Sequence, residues 1–179
     1  AGCTVDPMDY ETRSAYTAAQ LAEWITAQAN LISTEQLTVT QVEPPANEYN
    51  CHGYAYVVEP GGSNVWLSFD DAYHATSYTG TDYSSCTPSY TSTTSASAGD
   101  VIRYVPGGLQ FLAHSGVIQG ADDIISKWGG YGLIQHAEDQ VPAAYGDVEA
   151  YYEDNIAASA IHAFNVCNGT ATWDVSRLD

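Results

Sequence analysis

Positive charge is nearly missing from this chain: 4 Lys and Arg stand against 22 Asp and Glu in 179 residues, a formal net charge of −18. Such a surface repels phosphate backbones and anionic bilayers, which argues against a nucleic-acid or anionic-membrane partner. No apolar run reaches the length of a membrane-spanning helix, so no span is expected. The spacings Cys-x-x-Cys, His-Glu-x-x-His and the calcium loop are absent, as are a Gly-x-x-x-x-Gly-Lys phosphate loop and a Gly-x-Ser-x-Gly elbow. No metal, no cofactor and no serine nucleophile are therefore expected. The glycine pairs at 61–62, 107–108 and 129–130 read as turns.

What is present is apolar and aromatic. Hydrophobic residues make up 45% and charged residues 15%, a globular balance in a length that suits one domain over residues 1–179 with a real core. The 14 Tyr, with abundant Thr, Ser and Gly, point to a secreted or cell-surface protein. Ala1-Gly2-Cys3 is also compatible with the end of a lipoprotein signal. The four cysteines allow three complete pairings. If Cys51 stays free, Cys86–Cys167 is the preferred bridge. Asn168-Gly169-Thr170 is a glycosylation sequon.

Along the chain, Asp6 or Asp9 can cap a helix running to about Asn30, with Leu21, Trp24, Ile25 and Gln28 at helical spacing. Leu37–Val42 reads as a short extended segment, stopped by Pro44-Pro45. A helix is expected from Cys51 to about Val58, and a loop or short helix over Asn64–Asp71. Residues 76–97 are a polar Ser/Thr/Tyr-rich loop by composition. Strands are expected at Val101–Val105, around His114–Ile118, at Ile124–Trp128 and at Leu133–His136. A helix is then expected over Ala143–Ile156, and a strand at Ala160–Val166 that closes the sheet. Helices in front and consecutive strands behind make an α+β pattern.

The chemistry centres on Asn50-Cys51. Asn is a good N-cap, and a Cys in the first turn of a helix sees unpaired N–H groups and the positive end of the helix dipole, which favour thiolate. A thiol nucleophile needs a base, and the base needs a group to hold its ring. Of the five histidines, His52 adjoins Cys51 and points elsewhere on a helix, His74 borders a polar loop, and His162 sits on the last expected strand. His114 opens a strand of small residues and His136 ends a neighbouring one, so Cys51, His114 and His136 can supply nucleophile, base and orienter. The opposing reading makes Cys51 half of a disulfide in a non-catalytic binding or structural domain.

Three ordered patches carry a family resemblance. Tyr49-Asn50-Cys51-His52-Gly53-Tyr54-Ala55 resembles the nucleophile helix start of NlpC/P60 cysteine peptidases. Ala98-Gly99-Asp100-Val101-Ile102-Arg103-Tyr104 resembles their Pro-Gly-Asp strand, and His114-Ser115-Gly116-Val117-Ile118 resembles their His-x-Gly strand. Ile134-Gln135-His136-Ala137 looks like the segment with their third polar residue. The resemblance implies a papain-like α+β fold, with the nucleophile helix packed on an antiparallel β-sheet. It further implies amide hydrolysis, usually in peptidoglycan stem peptides, with Cys51 as nucleophile, His114 as base and His136 as orienter. The Cys51 N–H would be an oxyanion donor, and Tyr49 and Asn50 would border the same region. Asn50 stands where the family has Asp and His52 where it has Ser, and the interval from His114 to His136 is longer than usual.

Overall fold

The computed structural model describes residues 10–59, 61, 63–67, 90–107, 114–154, 164–167 and 170–173. In chain order these form β1 (Tyr10–Glu11), α1 (Ala18–Glu35), β2 (Val39–Glu43), α2 (Cys51–Gly53), a π-helical turn (Tyr54–Val58) and β3 (Trp66–Leu67). There follow β4 (Tyr90–Thr93), β5 (Val101–Val105), β6 (His114–Gly120), β7 (Asp123–Lys127) and β8 (Leu133–His136). A 3-10 turn (Ala143–Tyr145), β9 (Asp147–Asp154), β10 (Phe164–Cys167) and β11 (Thr170–Trp173) complete the set. Seven strands make one sheet in the order β2-β8-β7-β6-β5-β9-β4, and every neighbouring pair in it is antiparallel. The class is α+β, as the pattern of elements implies.

Both faces of the sheet are covered, which is why β5 and the centre of β6 carry apolar residues in succession rather than in alternation. On one face Val101, Val117, Leu133 and Tyr152 pack with Tyr54, Tyr56 and Val57 of the π-helical turn. On the other, Ile102, Tyr104, Ile118 and Ile124 pack with Val141, Val148 and Tyr151. Burial of each such aliphatic side chain stabilises by about 1.5–3 kcal/mol.

Helix α1 starts later than its acidic residues suggest. Thr17, not Asp6 or Asp9, is its N-cap: Gln20 N–H donates to Thr17 Oγ1 while Thr17 N–H donates to Gln20 Oε1, a reciprocal capping box. It ends at Glu35 rather than Asn30, with Gln36 left-handed at φ 56°. Its hold on the sheet is partly polar. Gln28 is the buried residue of α1; its Oε1 accepts from Gly132 N–H at 2.6 Å and its Nε2 donates to Gln41 Oε1 at 2.6 Å. Ile25, expected on the apolar side, is 46% exposed.

Four further expectations change. Residues 143–156 are not one helix: a single 3-10 turn ends at Gly146, whose φ of 80° breaks it. The chain then enters β9, which pairs with β5 on one side and β4 on the other. Its Ala150 and Tyr152 pack on one face of the sheet and its Val148 and Tyr151 on the other, with a bulge opposite Arg103–Tyr104 between them. Within the polar stretch 76–97, Tyr90–Thr93 is the edge strand β4, and residues before 90 fall outside the described set. Trp66–Leu67 is a strand paired with β1, not loop or helix. Finally, Phe164–Cys167 pairs with β11 in its own two-stranded sheet. It does not close the main sheet, whose edges are β2 and β4.

Candidate active site

Asn50 fixes the start of α2 twice over. Its Oδ1 accepts from Gly53 N–H at 2.8 Å, the N-cap bond expected of it. The same Oδ1 accepts from Leu67 N–H at 3.2 Å, and its Nδ2 donates to Leu67 C=O at 2.7 Å. The side-chain amide thus stands in for a strand neighbour of β3. Gly53 permits the close approach: a Cβ there would collide with the Val65 carbonyl oxygen.

Cys51 is a free, buried thiol, which removes the reading of it as a half-cystine. The backbone N–H groups of Ser115, His52 and Cys51 lie near enough to the sulfur to favour its charged form, and the positive charge of Lys127 does the same. Burial nevertheless pushes the thiol pKa up, outweighing all four. The helix start does not yield a preformed thiolate. It yields a neutral thiol surrounded by donors that would favour the charge once it develops.

The Ser115 contact places the sulfur at the first residues of β6, where pairing with β7 has already stopped at Val117–Ile125. Side chains alternate here. Ser115 turns to the α2 side, where its Oγ meets His52 Nδ1 at 2.9 Å beneath the nucleophile. His114 turns to the other face, between Tyr104 and Tyr145. Its imidazole is fully buried, and neither ring nitrogen has a hydrogen-bond partner among the described residues. Desolvation first, then the positive potentials of His136 and His52, hold its pKa well below 6.5. Tyr145 stacks on this ring with centroids 3.9 Å apart and planes 3° apart. The Cys51 sulfur in turn adds to the burial that raises the Tyr145 pKa. Tyr145 is thus the group that both stacks on the His114 ring and lies near enough to Cys51 to be affected by it.

His136 does not make the expected hydrogen bond to His114. Its Nε2 meets Ser126 Oγ at 2.7 Å and its Nδ1 meets the Ala137 carbonyl at 2.7 Å. Trp128 Nε1 donates to the same Ser126 Oγ at 3.0 Å. His136 lies near enough to depress the His114 pKa, and its own is lowered, mainly by burial. Tyr49 is also committed elsewhere: its hydroxyl donates to Glu43 Oε2 at 2.6 Å. Cys51 is thus joined to β6 through Ser115, His114 lies on the opposite face of that strand, and His136 lies near His114 without bonding to it.

Sequence reading passed over Ser115, Ser126, Lys127 and Tyr145. Register contained a signal for two of them. His114 and Gly116 on β6 share a face with Ser126 and Trp128 across the ladder, and a Cβ on Gly116 would lie 3.1 Å from Ser126 Cβ. Lys127 faces the α2 side, wholly buried, and its Nζ donates to the carbonyls of Ala46, Gly129 and Tyr131. Beside Tyr104 lies a cavity of about 630 Å³ that Glu138, Asp139 and Asp147 make acidic. Among the described residues no group of His, Cys, Asp or Glu is arranged to hold a metal ion, and no helix is long and apolar enough to cross a membrane. Cys3, Cys86, His74, His162, Asn168 and the Cys167 side chain lie outside what the structure describes.

Residues 40–153, more than half of the chain, match the family model described as "Domain of unknown function (DUF7689)". The chain belongs to this family. The DUF7689 segment runs from β2 to β9 and includes Asn50, Cys51, His114, Ser126, His136 and Tyr145. Helix α1 and the β10–β11 hairpin lie beyond it. No curated protein and no solved structure matches this DUF7689 chain.

Proposed function

We propose that this protein is a secreted cysteine hydrolase of NlpC/P60-like, papain-type architecture that cleaves amide bonds, with peptidoglycan stem peptides as its substrate class. One observation carries the reading. A free thiol at a capped helix start adjoins, through Ser115, the strand whose first residue is a fully buried imidazole with no hydrogen-bond partner among the described residues. An unsatisfied buried imidazole costs about 1–3 kcal/mol, and such costs are kept where a group has chemical work to do.

Both members of the pair rest neutral, since burial raises the thiol pKa and lowers that of the imidazole. His114 takes the Cys51 proton as the sulfur attacks the scissile carbonyl carbon, so charge appears only when substrate is in place. The tetrahedral oxyanion is met by the Cys51 N–H at the helix start. The His114 imidazolium then returns its proton to the departing amine, the C–N bond breaks, and a Cys51 thioester remains. Water, deprotonated by His114, attacks that thioester and restores the thiol and the carboxylic acid. The thiol keeps 8% exposure and the imidazole none, so substrate meets the sulfur first. Catalytic hydrogen bonds that are open in a resting enzyme commonly tighten in the substrate complex.

The excess of carboxylates disfavours an anionic stretch of substrate and favours a neutral or basic peptide. Digestion of purified peptidoglycan, with mass spectrometry of the released fragments, tests the reading. New amine and carboxyl ends with the native protein, and none with Cys51→Ala, are expected. No cleavage of peptidoglycan or of a panel of peptide amides by the native protein would overturn it.

A further inference from the structure

A thiol–imidazole pair works only if the imidazole plane is held, and the usual holder is a third side chain that hydrogen-bonds the ring. Here that holder is missing. Both nitrogens of His114 lack a partner among the described residues, and His136 spends its own nitrogens on Ser126 and Ala137. What touches the ring is aromatic: Tyr145 lies face to face with it at 3.9 Å and 3°, and Tyr104 is tilted by 42° at 5.6 Å. We infer that Tyr145 is the positioning residue of the base, its phenol ring fixing by stacking the imidazole plane that a hydrogen bond fixes elsewhere. This rests on the thiol-hydrolase reading for its catalytic meaning, though not for its geometry.

The backbone around Tyr145 is built to present the ring. Tyr145 N–H donates to the Pro142 carbonyl at 2.8 Å, closing the 3-10 turn, and Gly146 follows at φ 80°. A Cβ on Gly146 would run into Val105 and Pro106, so the turn is pressed against the end of β5. Trp128 meets Tyr145 edge-on at 6.4 Å. The ring is thus held by its own turn and by Trp128, and the imidazole is held by the ring. A face-to-face stack of this kind favours one ring orientation over others. Among the described residues, Tyr104 from β5 and Tyr145 from the turn pack on the His114 ring, and His136 from β8 and His52 from α2 lie near enough to lower its pKa.

Nuclear magnetic resonance of the imidazole protons tests the contact without any substrate. In the native protein the His114 ring protons are expected to be displaced upfield by the stacked phenol, and to remain so in Tyr145→Phe, which keeps the ring. In Tyr145→Leu the displacement should vanish and the His114 titration should move up toward 6.5. Turnover of the cleaved peptide should fall about tenfold in kcat with KM little changed in Tyr145→Leu, and be retained in Tyr145→Phe. Normal ring-proton shifts in the native protein overturn the inference, whether or not the Leu variant folds. So does a folded Tyr145→Leu with native kcat, or a Tyr145→Phe that behaves like Tyr145→Leu. Stacked ring shifts in a protein that cleaves no amide would sink the hydrolase reading while leaving the stack in place.

Discussion

The backbone N–H of Ser115 lies close to the sulfur of Cys51, and with the His52 Nδ1 to Ser115 Oγ contact it joins the helix of the proposed nucleophile to the strand of the proposed base. It makes the positions of Cys51 and His114 interdependent, because His114 is the neighbour of Ser115 on β6. Replacement of Cys51 by Ala should leave the fold intact and lower amide hydrolysis by at least about 10³-fold. His114→Ala should do nearly the same. A steady-state assay on the fragment released from peptidoglycan measures both, and native turnover in either variant removes that residue from the mechanism.

Thiol reactivity should follow a neutral pair rather than an ion pair. Burial raises the Cys51 pKa above 9.0, so alkylation by iodoacetamide should climb steeply through alkaline pH. A thiolate–imidazolium pair would instead give a plateau reaching into acid. Stopped alkylation followed by mass spectrometry, from pH 5 to 10, distinguishes the two profiles.

Stability should fall on acidification before ordinary carboxylates titrate. His114 and His136 both have folded pKa values below 6.5, so the unfolded chain binds protons first as pH drops. Their contribution is fully present above about pH 6.5 and is lost below it, until each folded pKa is reached, at up to about 1.4 kcal/mol per pH unit for each imidazole. Urea unfolding at pH 7.5 and pH 5.5 measures the loss. Equal midpoints would mean that the imidazoles are not buried neutral.

Lys127 is a buried knot rather than a reactive amine. Its ammonium is shared by three carbonyls, and desolvation lowers its pKa to about 8. Lys127→Met would strand those carbonyls without donors, and should destabilise by more than about 3 kcal/mol. Denaturant titration reads this directly, and a change below about 1 kcal/mol would show that water replaces the ammonium.

Asn50→Ala should cost about 2 kcal/mol, combining loss of an N-cap with loss of two bonds to Leu67. Because the helix start also orients the amides at the Cys51 sulfur, the variant should alkylate at a different rate even where it is fully folded. An unchanged alkylation profile at native secondary structure would confine Asn50 to a stabilising role.

Local chemistry made much of this legible. Asn50 before Cys51 is a cap wherever a helix follows, and Val101–Val105, Leu133–His136 and the strand opened by His114 are extended because their composition and flanking turns allow little else. Asp147–Asp154 carries no such clean pattern, because a bulge breaks its alternation and helix-forming Ala and Glu follow Pro142. What no local pattern carries is which groups face each other. The sequence by itself determined the ordered set of Asn50, Cys51, His114 and His136 and an α+β pattern of elements. Only the tertiary structure decided that Ser115 rather than His114 faces the nucleophile helix, that His136 bonds Ser126, and that Tyr145 lies on the imidazole. The reason is register: a one-residue shift along β6 exchanges its two faces, and register is set by pairing with β5 and β7, not by the residues of β6 alone.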